Sequence, residues 1–95
     1  MIVARGIVRT KPGRDTEALE LIKAEAKRLL PNRTIRWYQA NVGPSNTMSY
    51  EVEVESLADW EKAFAEFSSR MSPEYNKKWL EVVESEGTLE IWTLV

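Results

Sequence analysis

Aromatic side chains are the residues of this sequence best suited to form a ligand site. Large rings with a few polar groups are the usual lining of a small-molecule pocket. The same rings would also suit a filled core, because aromatic side chains dominate the packing of many domains. Both interpretations are open from the sequence. The candidate ligand-binding residues are Trp37, Gln39, Asn41, Tyr50, Tyr75 and Trp79.

Acidic residues offer a second kind of chemistry. Glu51, Glu53 and Glu55 alternate along one segment and could together hold a hard cation such as Ca²⁺ or Mg²⁺. Nearby arginines would neutralise these carboxylates first, and ion pairing is the commoner use of such residues. We therefore predict no metal site. The arginines concerned are Arg5, Arg9 and Arg36.

The chain has no cysteine and no histidine. Disulfides, thiolate nucleophiles, sulfur-bound metals and imidazole acid–base steps are therefore excluded. The serines fall in predicted turns, strands and helix caps rather than beside a base, and glycine is too sparse for a phosphate-binding loop. We identify no catalytic residue and predict no cofactor, which favours binding or structure over catalysis.

Composition indicates one globular domain that spans residues 1–95, with 43% hydrophobic and 29% charged residues. A net charge of −2 argues against nucleic acid as a partner. No apolar run approaches the ~20 residues that cross a bilayer, and no signal peptide opens the chain. We therefore expect a soluble cytoplasmic protein without a membrane partner. A domain this small has a narrow stability margin, which dimerisation commonly widens.

Periodicity and turn signals predict the elements that would position these residues. A first helix is capped by Asp15 and stops at Pro31, and a second begins at Ser56, restarts near Ser72 and ends at Gly87. The order β-α-β-β-α-β predicts a ferredoxin-like α+β fold, a four-stranded antiparallel sheet with helices on one face. The predicted strands span 2–10, 33–42, 47–55 and 88–95.

Each predicted helix carries an apolar stripe, which is expected to face the sheet. The stripe of the first helix consists of Ala18, Ile22, Ala26 and Leu29, widened by Leu19 and Leu30. The stripe of the second consists of Trp60, Ala63, Phe64, Phe67 and Met71, and continues through Tyr75, Trp79, Val82 and Val83.

Residues 43–46 (Gly-Pro-Ser-Asn) predict a tight turn between the two middle strands. If Gly43 pairs with Asn46, Trp37 lies opposite Val52 and Gln39 lies opposite Tyr50. Trp37, Tyr50 and Val52 then face the helices, because side chains alternate along a strand.

The other face of the sheet is predicted to carry charges of matched sign. One interpretation is a solvated face with ion pairs worth ~0–1 kcal/mol each. The alternative is a second sheet packed on this face in a homodimer. The candidate dimer-interface residues are Arg5, Arg9, Arg36, Glu51 and Glu53.

The turn at 43–46, the strand after it and the helix start Ser56-Leu57-Ala58 resemble the NIPSNAP family of the dimeric α/β-barrel superfamily. Lys11-Pro12-Gly13 is similar to that superfamily's entry into its first helix. The resemblance implies a dimer in which two sheets form a barrel. It also implies a pocket between sheet and helices, where enzymes of the superfamily hold haem, aromatic polyketides or lactones.

The chain departs from the family pattern at some positions. Val52 and Val54 stand where NIPSNAP sequences tend to carry Trp and Tyr, and Trp79 stands where haem-degrading relatives carry a histidine. Haem ligation through imidazole is therefore excluded. We expect a NIPSNAP-like homodimer that binds a small apolar or aromatic ligand. The alternatives are a cofactor-independent monooxygenase and a purely structural dimer.

Overall fold

The computed structural model describes residues 1–40 and 45–95, apart from the side chain of Glu86. The described part of the chain contains four strands and three helices. They are β1 (Ile2–Thr10), α1 (Asp15–Leu29), β2 (Ile35–Gln39), β3 (Thr47–Val54), α2 (Leu57–Arg70), α3 (Pro73–Val82) and β4 (Val83–Thr93).

The strands form one antiparallel sheet in the order β2-β3-β1-β4. The predicted ferredoxin-like α+β fold is therefore confirmed. The pairing of β4 with β1 changes register at two irregularities. The sheet thus has four strands, of which β4 is irregular near its start.

Two of the three predicted helix caps are confirmed. The Ser56 hydroxyl accepts a hydrogen bond from the Asp59 N–H at 3.1 Å, and the Ser72 hydroxyl accepts one from the N–H three residues later at 3.1 Å. The predicted cap at Asp15 is wrong, because Arg14 occupies the cap position and Asp15 is the first helical residue. The turn before α1 ends at Arg14, whose N–H donates a hydrogen bond to the carbonyl of Lys11 at 3.0 Å.

Gly87 does not end a helix as predicted, because α3 ends at Val82 and the chain continues directly into β4. Gly87 has φ +52° and lies where β4 changes register against β1. A Cβ at this position would overlap the carbonyl oxygen of Ile7. Glycine is therefore required here by an irregular strand pairing rather than by a helix terminus.

The hairpin of β2 and β3 has a different register from the predicted one. Trp37 lies opposite Tyr50 rather than Val52, and Gln39 lies opposite Met48. The predicted pairing was wrong by two residues, a shift that leaves every side chain on its predicted face.

The start of β3 is fixed by contacts with the turn that precedes α1. Asn46 adopts φ 58°, and its carbonyl accepts hydrogen bonds from the N–H and the hydroxyl of Thr10 at 2.8 and 3.1 Å. Its side-chain oxygen accepts the N–H of Gly13 at 3.1 Å. Strand β2 ends at Gln39 and β3 begins at Thr47. Gly43 and Pro44 of the predicted turn lie outside the described residues.

The main core lies between α1, α3 and the sheet, and a smaller cluster lies beneath the start of α2. No helix in the described segments is long and apolar enough to cross a membrane. The main core contains Val8, Ala18, Ile22, Met48, Tyr75, Trp79 and Val82. The smaller cluster contains Ala4, Val52 and Val54 with half-buried Trp60.

Candidate ligand pocket

A pocket of about 360 Å³ lies between the helix-facing side of the sheet and helices α2 and α3. Its described lining is mostly aliphatic and aromatic. Four of the six candidate ligand residues line it, namely Trp37, Tyr50, Tyr75 and Trp79. The sheet and α3 thus bring together the rings that the sequence placed on separate elements.

The rings contact one another in pairs along two walls. Trp37 and Tyr50 are cross-strand neighbours whose ring centres lie 6.0 Å apart at an angle of 50°. Tyr75 and Trp79 lie one helical turn apart in α3 and stack, with ring centres 5.7 Å apart and planes 21° from parallel. Aromatic pairs of this geometry stabilise each other beyond the area they bury.

Gly6 determines where the Tyr50 ring lies. Gly6 and Tyr50 are paired residues of β1 and β3, and a Cβ on Gly6 would overlap the phenol of Tyr50. The space left by the missing side chain is occupied by the Tyr50 ring, which lies over Gly6.

Helix α2 forms the outer wall of the pocket and packs onto the sheet only in part, chiefly through Trp60 at its start. Ala63 is its only buried residue among those described, although its apolar stripe is as long as that of α1. Phe64 is 55% exposed, and Trp60 and Phe67 are half-buried. The stripe therefore borders an unfilled space.

An ion pair holds the first turn of α2. Arg33 and Asp59 form a bidentate contact with two N–O distances of 2.8 Å, and Asp59 also accepts the N–H of Glu55 at 3.0 Å. The hydrogen bonds from Arg33, reinforced by that from Glu55, lower the pKa of Asp59 to about 2. The start of the helix is thereby tied to the segment before β2.

A second cluster holds the end of α2. The buried carboxylate of Glu25 accepts hydrogen bonds from Arg28 at 2.9 and 3.0 Å and from the Ser72 N–H at 2.8 Å. Arg28 also donates to the carbonyl of Arg70 at 3.1 Å. The Arg28 guanidinium holds the pKa of Glu25 below its usual range, in opposition to burial. We call this group and the Arg33–Asp59 pair the two clamps of α2.

The two predicted polar ligand residues are not placed in this lining. Gln39 is exposed, and its amide nitrogen donates to the hydroxyl of Thr16 at 3.1 Å. Asn41 lies outside the described residues. The polar lining comes instead from Ser68, Asn76 and Thr88, which are exposed at the pocket mouth.

Helical spacing was the signal that could have identified two of these polar residues. Ser68 follows Phe64 by one turn of α2, and Asn76 precedes Leu80 by one turn of α3. Residues four apart lie on one helix face, so each polar residue shares a face with a lining apolar residue.

A second, larger depression of about 940 Å³ lies outside this pocket, near the end of α1. It contains the Arg33–Asp59 clamp together with Glu55, Glu66 and Arg70. Its charged groups face solvent and are partly paired with each other. The smaller pocket is the better ligand site, because it is more enclosed and apolar.

The sheet face away from the helices carries the predicted dimer-interface residues. Arg36 contacts Glu53 closely and lies 3.8 Å from Glu51. In the strand register, Arg5 lies between Glu51 of β3 and Glu90 of β4. Arg9 is exposed near the end of β1. The group shares this face with Val3, Ile7, Tyr38 and Trp92. We call this surface the open face.

No protein-family model and no curated protein matches this sequence. Solved structures do share its fold. A NIPSNAP domain protein from Burkholderia xenovorans has a TM-score of 0.79 at 12% identity, over 100% of this chain and 95% of that one. A NIPSNAP family protein from Agrobacterium tumefaciens has a TM-score of 0.74 at 18% identity, over 99% and 92%.

A Bordetella bronchiseptica protein whose name proposes an antibiotic biosynthesis monooxygenase has a TM-score of 0.75 at 13% identity, over 99% and 96%. At these identities the likeness concerns the fold. This chain has the ferredoxin-like fold of the NIPSNAP and antibiotic biosynthesis monooxygenase structures, as the resemblance in its sequence implied.

Proposed function

We propose that this protein is a homodimer that binds a small apolar or aromatic molecule between its sheet and its helices. The observation that carries the proposal is the unfilled apolar pocket of about 360 Å³ beneath α2. Ligand sites are commonly clefts of this size that are lined mainly by apolar and aromatic side chains with a few polar groups.

The volume favours a ligand of about two fused rings. A cavity of ~150 Å³ holds one benzene molecule, and ligand pockets begin at ~300 Å³. The Trp37–Tyr50 and Tyr75–Trp79 pairs offer ring faces and edges to a flat molecule. Naphthalene is therefore a suitable probe.

A titration of the protein with naphthalene, followed by NMR, tests this proposal. The indole N–H signals of Trp37 and Trp79 should shift saturably at one site per chain. Trp92 is an internal control, because it lies on the open face and is 56% exposed. The absence of saturable shifts, or equal shifts of all three signals, would contradict the proposal.

A matched pair of variants locates the binding site. Ala63 is 1% exposed and lines the pocket, so Ala63→Phe should fill the space and abolish naphthalene binding. Ala65 is exposed on the same helix and does not line the pocket. Ala65→Phe should bind as the parent does. Equal affinities of the two variants would place the ligand elsewhere.

The dimer is supported by the open face. Val3 and Ile7 interrupt its charged residues, Trp92 and Tyr38 are 56% and 41% exposed there, and the side-chain Nε of Arg5 is buried without a hydrogen-bond partner among the described residues. Exposed rings beside sign-matched charges are typical of a surface covered by a partner. A two-fold axis would place this face against itself, as the resemblance to dimeric barrels implies.

Sedimentation analysis tests the dimer, which should have twice the chain mass of 11.0 kDa. Ile7→Glu would bury an unpaired charge in the interface and should yield monomers. Leu57→Glu adds the same charge at an exposed apolar position on α2, 57% exposed, and should leave the dimer intact. A monomeric parent would overturn this part of the proposal.

A cofactor-independent monooxygenase is the second candidate, favoured by the fold shared with structures of that name. The described lining of the pocket has no carboxylate, lysine or arginine to act as an acid or a base. We therefore place binding first. Oxygen uptake on addition of a bound aromatic compound, without added cofactor, would favour the enzyme. A stable dimer that binds no ligand would favour a structural role.

A further inference from the structure

The charge of the pocket lining restricts which ligands can enter. Every described lining residue is uncharged, although 29% of the whole chain is Asp, Glu, Lys or Arg. Helix α2 does carry charged residues, among them Glu61, Lys62, Glu66 and Arg70, but none of them lines this pocket. The pocket therefore offers no counter-ion to a charged ligand.

Apart from the phenol and indole groups of its rings, the lining has few polar side chains, and these are unevenly distributed. Ser68, Asn76 and Thr88 are exposed at the mouth, whereas Val8, Ala26, Val52 and Ala63 are buried farther in. A hydroxyl or amide group of a ligand could keep hydrogen bonds at the mouth. An ionised group carried inward would lose its hydration without gaining a counter-ion.

We infer that the pocket selects its ligand by charge, and takes the neutral form of an aromatic molecule with at most one hydrogen-bonding group, which points to the mouth. This inference rests on the proposed binding function and adds the ligand class. The pocket selects by excluding ions, because none of its side chains recognises a particular group of the ligand. The ionised form is rejected by desolvation.

A series with one ring system tests the inference by calorimetric or NMR titration at pH 7. Naphthalene and 2-naphthol are neutral, 2-naphthoate is an anion, and 2-naphthylmethylammonium is a cation. Burial shifts ionisation equilibria by several pH units, and two units correspond to a factor of 100. The two ions should bind at least ~100-fold more weakly than 2-naphthol.

A pair of adjacent serines provides the gain-of-binding test. Ser68 and Ser69 are both exposed on α2, but only Ser68 lines the pocket. Ser68→Arg would supply a cation at the mouth and should strengthen 2-naphthoate binding by up to ~5-fold, since a partly exposed ion pair is worth at most about 1 kcal/mol. Ser69→Arg adds the same charge outside the pocket and should have little effect.

The outcomes separate this inference from the proposed function. If 2-naphthoate or the ammonium compound binds as tightly as 2-naphthol, selection by charge is wrong and the binding function stands. Equal gains in Ser68→Arg and Ser69→Arg would also overturn it, because the effect would then be one of net charge. If no member of the series binds the parent, the proposed function fails and this inference fails with it.

Discussion

Helices α1 and α2 cover the same face of the sheet but are held there in different ways. Helix α1 is held by packing, since most of its apolar stripe is buried. Helix α2 buries only Ala63 among the described residues and is held at its two ends by the clamps. The pocket lies beside this partly packed stripe, whose Trp60, Ala63, Phe64 and Phe67 line it. The position of α2 therefore depends on contacts at its two ends, whereas the position of α1 depends on the packing of its apolar face.

Collapse of α2 onto the sheet would fill the pocket but would disturb the clamps. The Arg33–Asp59 contact is bidentate, and the Glu25 carboxylate is buried. Leaving a buried charged group without its hydrogen bonds costs more than the bonds themselves contribute. The clamps therefore favour the open arrangement over the closely packed one.

The largest effect is expected at Trp79, where α3 joins the packed core to the pocket. Trp79 is 8% exposed and stacks on Tyr75. Trp79→Ala should lower the free energy of unfolding by ~3–5 kcal/mol, because it leaves a large cavity. Leu80→Ala, at the next residue and 66% exposed, should change it by less than ~0.5 kcal/mol. Chemical denaturation of both variants measures the difference.

A direct comparison of the two helices should give the next largest effect. Leu29 of α1 is 3% exposed, and Leu29→Ala should cost ~2–5 kcal/mol. Phe64 of α2 is 55% exposed, and Phe64→Ala should cost less than ~1 kcal/mol despite the larger side chain. Denaturation curves with equal losses for the two variants would show that α2 is packed like α1.

The sequence predicted the elements well because periodicity reports which side of a strand or helix is apolar. For the same reason it could not decide between a pocket and a filled core. A stripe such as that of α2 shows which face turns inward, but not how far the helix stands from the sheet. The contacts at the two ends of α2 join residues far apart in the chain, Arg33 with Asp59 and Glu25 with the Ser72 N–H, which periodicity does not report.

The errors in register and polar lining have the same origin. The start of β3 depends on the hydrogen bonds between Asn46 and Thr10, which no local turn rule includes. Alternation correctly placed Gln39 on the helix-facing side of β2. It could not show that Gln39 lies near the strand end and meets Thr16 instead of the pocket.

The Glu25 clamp is open to a conservative test of smaller effect. Glu25→Gln keeps the shape of the side chain but removes the charge that receives three hydrogen bonds. The variant should lose ~1–3 kcal/mol, the usual cost of weakening a buried charged contact. Glu20→Gln on the exposed side of the same helix should be within ~0.5 kcal/mol of the parent. Thermal denaturation at pH 7 compares them.

The Asp59 clamp should produce the smallest effect, visible as a dependence on pH. The pKa of Asp59 is lowered to about 2 in the folded chain, below the ~3.9 of an unfolded aspartate. Its stabilising contribution is therefore complete above pH ~4 and is lost as the pH falls through about 2. Asp59→Asn should lower the melting temperature slightly at pH 7 and flatten its decline between these two pH values.

The other aspartate of the chain supplies the control for that decline. Asp15 lies in the first turn of α1 and forms no ion pair in the part of the chain that the structure describes. A reduction of the acid slope in Asp59→Asn that exceeds the one in Asp15→Asn is therefore specific to the clamp. The melting temperature of Asp59→Asn should still decline in part as the pH falls, because the pKa of Glu25 is also lowered. An unchanged slope in Asp59→Asn would mean that the first clamp contributes nothing, and that packing of α2 must hold the helix instead.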